Sequence, residues 1–231
     1  MKIALLTFYT KEYQKLADII LPNKEEYCKK RGYEHIVKIG PFTNRGLYYA
    51  IDRLLYLHDL LFVQNHDVDA VWVLNVQSLI TNYNKKIEDL ITEPLIIQKD
   101  LQPGQTVVTK EYDFFFSRDV GGCNAGSFIV RKTDWSRSWI QLITTLAPNI
   151  GHVHHEQWVM ELYHKQPQWI NLIKILPQNL LNSYLYTYYA PNWNENTPGH
   201  WQSGDLALSF PGMDLNKRMV EIPKHFDKII K

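Results

Sequence analysis

The chain has 231 residues, of which 45% are hydrophobic and 21% are charged, and its formal net charge is +1. These proportions are ordinary for a globular protein, and the near-neutral charge provides no global field that would favour nucleic acid. No stretch approaches the roughly 18 consecutive apolar residues of a transmembrane helix, so we expect no membrane span.

The two cysteines, Cys28 and Cys123, do not have the spacing of a metal site, and so few cysteines do not predict a disulfide framework. The apolar part of residues 1–12 is too short for a signal peptide, and no small-residue cleavage site follows it. These features favour reducing, cytoplasmic surroundings.

The first half of the chain predicts the start of an α/β sheet. A short buried strand at 3–8, an amphipathic helix at 12–31 and a second strand at 34–39 form a βαβ unit. A strong amphipathic pattern then predicts a helix over 47–64, and the apolar run 70–74 predicts a third strand.

The second half continues with alternating helices and strands. Residues 101–120 mix proline, glycine and aromatic side chains, which favours a loop facing the substrate or an irregular hairpin. Asp134 is the expected N-cap of the helix that follows. With no internal repeat and no linker, the chain predicts a single domain over 1–231. The other predicted elements are helices at 85–91, 135–146, 156–164 and 220–231, and strands at 95–98, 128–131, 172–177 and 206–210.

The most informative segment is 122–131, which reads Gly-Cys-Asn-Ala-Gly-Ser-Phe-Ile-Val-Arg and is followed by Trp135 and Ser136. The pattern predicts a loop that runs into a buried strand, and its small residues let a ligand approach the backbone closely. The segment resembles the Asn-Ala/Thr-Gly-Ser-Phe-Leu-Ile-Arg…Trp-Ser signature of a retaining GT-A glycosyltransferase family. That family, glycosyltransferase family thirty-four, contains yeast α-galactosyl- and α-mannosyltransferases and plant xyloglucan xylosyltransferases.

Two further segments, 177–184 and 204–212, resemble the Pro-Gln…Asn-x-Tyr and Gly-Asp…His-Phe-x-Gly stretches of the same family. The resemblance thus covers most of the chain, from the first strand to about Gly212. It implies an α/β, GT-A (Rossmann-like) single domain, with a mainly parallel central sheet flanked by helices. Family members of the eukaryotic Golgi carry an N-terminal anchor, whereas this chain starts at its first strand. We therefore expect a soluble protein of bacterial or virus-encoded style.

In a mainly parallel sheet, ligands bind beyond the carboxyl ends of the strands. The strand at 70–74 therefore presents Asn75, Val76 and Gln77 to the site. The family that the chain resembles has Asp-x-Asp here, which binds a divalent cation on the donor diphosphate, and a histidine where this chain has Ser209. Amide oxygens can ligate a cation but bring no negative charge. We therefore expect weak Mn²⁺ or Mg²⁺ binding, or none.

Two hypotheses follow from the replaced ligands. Either the enzyme works without metal, with cationic side chains and backbone N–H groups holding the diphosphate, or the chain is a degenerate binder. Lys217 and Arg218, just after Gly212, are the best phosphate-binding candidates. The alternative for both is an ordinary surface charge beside a helix.

Two other patterns suggest metal but carry less weight. Asp67 and Asp69 match Asp-x-Asp literally, but they precede the strand and so belong to the wrong end of the sheet, where a solvated turn is the better interpretation. His152, His154 and His155 suggest zinc, but no cysteine or acidic partner stands at a fixed spacing from them.

The catalytic candidates are Gln157 and Glu156, which open a helix and resemble the family's acidic-Gln segment. The resemblance implies that such residues lie on the β face of the donor sugar. The Gln157 amide carbonyl would stabilise oxocarbenium-like charge. Glu156 would hold sugar hydroxyls or act as a nucleophile. Alternatively, Glu156 is an acid favoured by the helix dipole.

Donor contacts are expected from several strand ends. In GT-A folds the end of the first strand usually contacts the nucleotide base. Thr7 could donate or accept a hydrogen bond with the base, and Tyr9 could stack on it. For Phe8, core packing is as good an explanation as contact with the donor. The resemblance assigns the other donor contacts to Asn124, Ala125, Gly126, Ser209 and Gly212.

The acceptor candidates are Tyr184, Trp193 and Trp201, which belong to an aromatic-rich polar stretch. Aromatic faces stack on the C–H faces of sugars, although ordinary packing explains each residue taken singly.

The resemblance implies transfer of a sugar from a nucleotide-diphosphate donor, such as a UDP- or GDP-sugar, to a glycan hydroxyl, with retention of configuration. One alternative is a sugar-nucleotide- or glycan-binding protein that has lost catalysis. A third hypothesis, an enzyme that glycosylates modified DNA bases, is disfavoured by the near-neutral charge.

Overall fold

The computed structural model describes residues 1–43, 48–92, 95–96, 109–151, 155–186 and 190–231. Its strands are β1 Ile3–Thr10, β2 Glu34–Gly40, β3 Ala70–Leu74, β4 Ser78–Ile80, β5 Leu95–Ile96, β6 Thr109–Lys110, β7 Phe114–Asp119, β8 Gly122–Arg131, β9 Ile173–Leu176, β10 Ser183–Tyr184 and β11 Ala207–Ser209. Its helices are α1 Gln14–Arg31, α2 Tyr49–His58, α3 Glu88–Ile91, α4 Asp134–Leu146, α5 His155–Tyr163, α6 Pro167–Ile170 and α7 Leu215–Glu221.

The central sheet has six strands in the order β2-β1-β3-β8-β7-β9. Strand β8 is antiparallel to both of its neighbours, while the other pairs are parallel. The amino end of β8 therefore lies beside the carboxyl ends of β3 and β7. The α/β fold with a mainly parallel sheet, expected from the sequence, is confirmed.

The sheet is buried on both faces. All five residues of β3 are buried, as is usual for a strand covered by helices on both sides. Val71 and Val73 join the core on one face, whereas Trp72 and Leu74 join the core on the other face. A smaller sheet, β10-β11-β4, is fixed to α1 because the Asn23 side chain bonds both backbone groups of Ile80 at 2.9 Å.

Most of the elements expected in the first half are present. Strand β3 has the expected bounds, and the helix expected over 47–64 is α2 continued by a π-helical turn at Asp59–Val63. The short strands β4 and β10 were not expected. Nothing in the described part of the chain is a helix with the length and apolar character that crossing a bilayer requires.

Three expectations about local structure need correction. Residues 114–119, expected to belong to a loop or an irregular hairpin, form strand β7, which pairs with β8 as a hairpin and carries the completely buried Phe114, Phe115 and Phe116. The strand expected at 128–131 begins at residue 122. The helix expected over 220–231 is instead α7 followed by a 3-10 helix at Ile222–Lys228.

A fourth correction concerns the start of α4. Thr133, rather than Asp134, is the N-cap residue. Its side-chain oxygen accepts from the Ser136 N–H at 3.1 Å, and the Ser136 hydroxyl accepts from the Thr133 N–H at 3.1 Å. This reciprocal capping box satisfies two donors at once, an advantage that Asp134 does not offer.

Candidate active site

A cavity of about 230 Å³, the main cavity, lies where β3, β7 and β11 end and β8 begins. A smaller cavity of about 190 Å³ adjoins it at the end of β1. Most of the proposed site residues meet here. The main cavity is lined by Asn75, Gln77, Asn124, Ala125, Gly126, Glu156, Gln157, Tyr184, Ser209 and Gly212, and the smaller one by Phe8, Tyr9, Asn75, Val76 and Gln77.

An irregularity in β8 pushes the small-residue motif into the main cavity. Phe116 pairs with Phe128, but the next residue of β7, Ser117, pairs with Asn124, so three residues of β8 bulge away from β7. Bulges of this kind are common beside active sites. Glycine suits position 126, because a Cβ there would lie 3.0 Å from the Asn124 Oδ1 atom and 3.2 Å from the Asn75 Nδ2 atom, so a larger residue would press on both amides.

Side chains replace the missing strand partner of the bulged residue Ala125. Its N–H donates to the Gln157 Oε1 atom at 2.9 Å, and its carbonyl accepts from the Arg53 Nη2 atom at 2.8 Å. The first contact fixes the orientation of the Gln157 amide, because only the oxygen accepts. Gln157 on α5 and Arg53 on α2 are thus tied to the same residue of the sheet.

Arg53 is a buried cation that the sequence analysis did not single out. It is 1% exposed and lines the main cavity. Its guanidinium donates to the Asn75 Oδ1 atom and to the Ala125 carbonyl, both neutral, and lies over the Phe128 ring at 5.6 Å. Its buried Nε atom has no partner. The sequence did not indicate a role for Arg53, because a single arginine in an amphipathic helix is expected to face solvent.

The three positions expected to replace metal ligands all line the main cavity. The Asn75 Oδ1 atom already accepts from Arg53, and the Ser209 hydroxyl is 2.7 Å from the Ser78 hydroxyl. With Gln77, they form a neutral set of oxygens beside a buried guanidinium. Hard divalent cations prefer anionic oxygen ligands, so this set does not fit one.

Arg218, rather than Lys217, reaches the site. Arg218 is 9% exposed, lines both cavities and donates from Nε to the Phe210 carbonyl at 3.1 Å. Lys217 lines neither cavity and lies 3.5 Å from Asp214 on the exposed side of α7. The two neighbours point apart because successive residues of a helix lie about 100° from each other.

The Glu156 carboxylate on α5 is 6% exposed and lines the main cavity. Its Oε2 atom is buried and has no hydrogen-bond partner. A buried polar atom without a partner is costly in free energy, so this oxygen is available to a ligand. The ring of the neighbouring His155 lies 4.9 Å from the Tyr48 ring and is tilted against it by 49°, whereas His152 and His154 lie outside the described residues.

The sequence analysis missed a second carboxylate, Asp119, at the end of β7. Its Oδ2 atom accepts from the Asn124 amide at 2.6 Å and from the Tyr184 hydroxyl at 2.8 Å. Its Oδ1 atom accepts from the Gly121 N–H at 2.7 Å. Three donors leave capacity for one more on this carboxylate. The signal that could have found Asp119 is the Phe-Phe-Phe-Ser-Arg-Asp run, an acid directly after a buried strand.

Asn124 and Tyr184 have no such spare capacity. The Asn124 Oδ1 atom accepts from the Gly126 N–H at 2.7 Å and from the Asn182 amide at 2.8 Å, and its Nδ2 atom donates to Asp119 and Tyr184. Tyr184 is 2% exposed, and its burial raises the pKa of its phenol well above the ordinary value, with a further rise from Asp119. Both residues therefore hold Asp119 in place.

A second tie fixes α5 to β8 below the cavity. The Glu161 Oε2 atom accepts from the Cys123 N–H at 3.2 Å and from its thiol at 3.1 Å, and the Arg118 guanidinium lies 2.9 Å from the Glu161 Oε1 atom. Glu161 and Gln157, one helical turn apart, thus satisfy alternate amides of β8. Cys123, Glu161 and His164 have ligand atoms within 4.8 Å. However, Arg118 already pairs with the carboxylate, and burial raises the pKa of the Cys123 thiol.

Four sequence-proposed residues lie outside both cavities. Thr7 is fully buried beneath Asn75, and its hydroxyl lies 3.4 Å from the ammonium of the buried Lys24. The second of the four is Lys217, on the exposed side of α7. The Trp193 indole donates to the Tyr184 carbonyl at 3.2 Å, and the Trp201 indole donates to the Thr81 hydroxyl at 3.1 Å.

The acidic pair Asp67 and Asp69, set aside in the sequence analysis, lies at the opposite end of the sheet from both cavities. Asp69 accepts from the Lys2 N–H at 2.6 Å, and Asp67 pairs with the Lys2 ammonium, just before β1 begins.

Comparison with solved structures defines the fold class. The chain resembles the crystal structure of a glycosyltransferase involved in the glycosylation of the major capsid of PBCV-1, with a TM-score of 0.70 and 14% identity. The match covers 97% of this chain and 100% of that chain. The fold is therefore that of the GT-A glycosyltransferases.

The chain belongs to the galactosyl transferase GMA12/MNN10 family, whose model matches residues 3–219. A probable alpha-1,2-galactosyltransferase, gmh1 of Schizosaccharomyces pombe, is 30% identical over 184 residues, covering 69% of this chain and 53% of the relative. The probable alpha-1,6-mannosyltransferase MNN10 of Saccharomyces cerevisiae is 23% identical, covering 72% of this chain and 47% of the relative. The chain spans about half the length of these curated relatives, and the family expected from the Asn-Ala-Gly-Ser-Phe motif is confirmed.

Proposed function

We propose that the protein is a glycosyltransferase that moves a hexose or related sugar from a nucleoside-diphosphate sugar to a glycan hydroxyl. One observation carries the proposal. The main cavity brings two cations, Arg53 and Arg218, and two carboxylates, Asp119 and Glu156, together around one space. We call Arg53, Asn75, Gln77 and Arg218 the arginine side, and Asp119, Glu156 and Gln157 the carboxylate side.

The arginine side suits a diphosphate. A buried guanidinium whose partners are neutral dipoles keeps its positive potential, and guanidinium groups bind phosphate oxygens with charge-assisted hydrogen bonds. Arg53 and Arg218 would hold the diphosphate and offset the charge that develops on it as the sugar leaves. This assignment makes the enzyme metal-independent. Phe8, Tyr9 and Val76 in the smaller cavity would contact the nucleoside.

The carboxylate side suits the sugar. Asp119 and the unpaired Glu156 Oε2 atom would accept hydrogen bonds from sugar hydroxyls. The Gln157 Oε1 atom keeps one lone pair beyond its bond from Ala125, and it would support positive charge at the anomeric carbon. The bond from that carbon to the diphosphate breaks and a bond to the acceptor oxygen forms on the same face. The acceptor proton passes to the departing phosphate oxygen.

Donor turnover tests the proposal directly. We expect hydrolysis or transfer from at least one sugar in a panel of UDP- and GDP-sugars, with activity in EDTA within about twofold of that in Mn²⁺. Gln157→Ala should reduce kcat roughly 10²-fold, while Lys29→Met, which removes an exposed charge from the last turn of α1 at the opposite end of the sheet, should not. Complete loss of activity with the chelator would contradict metal independence.

The second candidate function is a binding protein without catalysis, which the neutral residues Asn75, Gln77 and Ser209 favour. Calorimetry with the same donors separates the two functions. Binding without turnover for every donor in the panel would support the binding protein and overturn the enzyme.

The cytoplasmic setting stays a prediction, motivated by Cys28 and Cys123, which are buried free thiols.

A further inference from the structure

A groove of about 700 Å³ lies beside the main cavity and shares Asp119 and Val120 with it. The groove is continuous with the carboxylate side and has about three times the volume of the cavity. Apart from Arg118, its remaining lining comes from two segments, 175–179 and 195–202. A ligand in the groove could thus reach Asp119, where the donor sugar is proposed to lie.

The two segments that line the groove are fastened to each other and to the site. Gly199 has a φ of +86°, and a Cβ there would lie 2.1 Å from the Gln178 Oε1 atom, so only glycine fits against this side chain. The Gly199 carbonyl accepts from the Tyr184 N–H at 2.9 Å, and the Trp201 N–H donates to the Tyr184 carbonyl at 2.8 Å. Since the Tyr184 hydroxyl donates to Asp119, groove and cavity share one rigid support.

The chemistry of the groove favours an uncharged, hydroxyl-rich ligand. Asn179, Thr197 and Gln202 contribute amide and hydroxyl groups, which both donate and accept hydrogen bonds. The positive charge of Arg118 is already compensated by Glu161 at 2.9 Å. The carboxylates of Asp119 and Glu195 remain, so the local charge is negative while the His200 imidazole of the lining is neutral.

We propose that this groove binds the acceptor, and that the acceptor is a neutral oligosaccharide of at least two sugar units. The inference rests on the proposed function. One unit presents its hydroxyl at Asp119, and the additional volume between the two segments takes the units that follow. Acidic glycans and nucleic acids are disfavoured, because their anionic groups would approach two carboxylates without an uncompensated cation among the described lining residues.

The test compares acceptors of different length and charge. Neutral oligosaccharides of one to four units are offered with an active donor, next to oligogalacturonides of the same lengths. We expect the KM for neutral acceptors to fall on going from one unit to two, and acidic acceptors to be used less well than neutral ones. Equal use of one and two units, or a preference for the acidic series, would overturn the proposal.

Two groove variants locate the binding site. Asn179→Ala and Gln202→Ala should each raise the KM for a neutral di- or trisaccharide roughly three- to tenfold, the effect of one lost hydrogen bond, and by more than they change kcat. Gln141→Ala, an exposed amide on α4, is the matched control and should change neither. Groove variants that behave like this control would contradict the proposal.

The charge assignment has its own variant. Glu195→Lys should improve the use of acidic acceptors at least threefold relative to neutral ones, and an unchanged ratio would contradict the charge argument. If no donor is turned over, the proposed function fails on that result alone. Calorimetry of wild type and of the Asn179 and Gln202 variants with the neutral trisaccharide then tests the groove. Binding by wild type but not by the two variants would support the groove assignment, and no binding by wild type would overturn it.

Discussion

The arginine side and the carboxylate side of the main cavity differ in the charge that they present to a ligand. On the arginine side, Arg53 is buried against two neutral oxygens, so its charge is not cancelled within the protein. On the carboxylate side, Asp119 accepts three hydrogen bonds but meets no cation in doing so. One small space thus contains a guanidinium that is bound to neutral oxygens and a carboxylate that is held by neutral donors.

Under the proposed function, the two arginines take the role of the cation that the carboxylates expected after β3 would bind. An acid at position 75 would neutralise Arg53, and a divalent cation would then be needed to restore positive charge. An amide at that position leaves the guanidinium available to an anion.

Arg53→Met removes the buried charge of the arginine side. We expect kcat/KM to fall roughly 10²- to 10³-fold, because one preorganised donor to a developing charge has that effect. Donor titrations with initial rates measure it, with circular dichroism as a check of folding. Arg53→Lys should retain part of the activity, and near-wild-type donor affinity in the methionine variant would refute the assignment.

Asp119→Asn changes the carboxylate side instead. We expect kcat/KM to fall roughly ten- to hundredfold, the effect of losing a hydrogen bond to a charged group. Tyr184→Phe removes only one of the donors that hold this carboxylate, so its effect should be smaller, roughly threefold to tenfold. If the phenylalanine variant lost more activity than the asparagine variant, Tyr184 would have a role beyond positioning Asp119.

Asn75→Asp places an acid against Arg53 and so joins the two kinds of charge. We expect donor affinity in EDTA to fall roughly tenfold, because the new ion pair cancels the positive potential. Added Mn²⁺ should recover part of the loss in the variant while leaving wild type unchanged. A variant that binds donor in EDTA as well as wild type does would show that the amide at position 75 is electrostatically unimportant.

Glu161→Ala tests the tie between α5 and β8, below both sides. We expect a loss of about 1–2 kcal/mol in the free energy of unfolding, measured with urea, because the Cys123 N–H loses its acceptor. The exposed Glu12→Ala is the control. Burial raises the pKa of Glu161, but hydrogen bonds from Cys123 and the Arg118 charge lower it more, so the folded pKa lies below its ordinary value.

The pH dependence of that stabilisation follows from the direction of the shift. A carboxyl group whose pKa is lower in the folded state stabilises the fold fully above its unfolded pKa of about 4.3, and the contribution disappears as the pH falls through the folded pKa. Wild type and Glu161→Ala should therefore differ most in stability near neutral pH and converge in acid. A constant difference down to pH 2 would contradict this account.

Much of the scaffold could be predicted from local sequence. Strand β3 was placed at its observed bounds because an apolar run of five residues has few other solutions. The Asn-Ala-Gly motif was placed at a strand end facing a ligand, and the bulge puts it there. Segment 114–119 was not predicted as a strand, because its three phenylalanines follow a stretch of sequence that contains Pro103 and Gly104, and only the pairing with β8 and β9 makes it one.

The charges of the site could not be predicted in the same way. Arg53 looked like one cation on an amphipathic helix, and nothing local distinguishes it from an arginine that faces water. Arg218 and Lys217 are adjacent, so only the packing of α7 decides which one reaches the cavity. Asp119 was not proposed as a site residue, because its segment was not expected to be a buried strand that ends at the site.

The sheet, the family and the edge at which the site lies follow from the sequence alone, because hydrophobic periodicity and a contiguous motif are local properties of the chain. Which charges meet there depends on the packing of the folded chain. Arg53, Asp119, Glu156 and Arg218 come from four separate elements, and their mutual positions depend on how α2, β7, α5 and α7 pack around one cavity. Burial, and not spacing along the chain, gives these side chains their electrostatic effect.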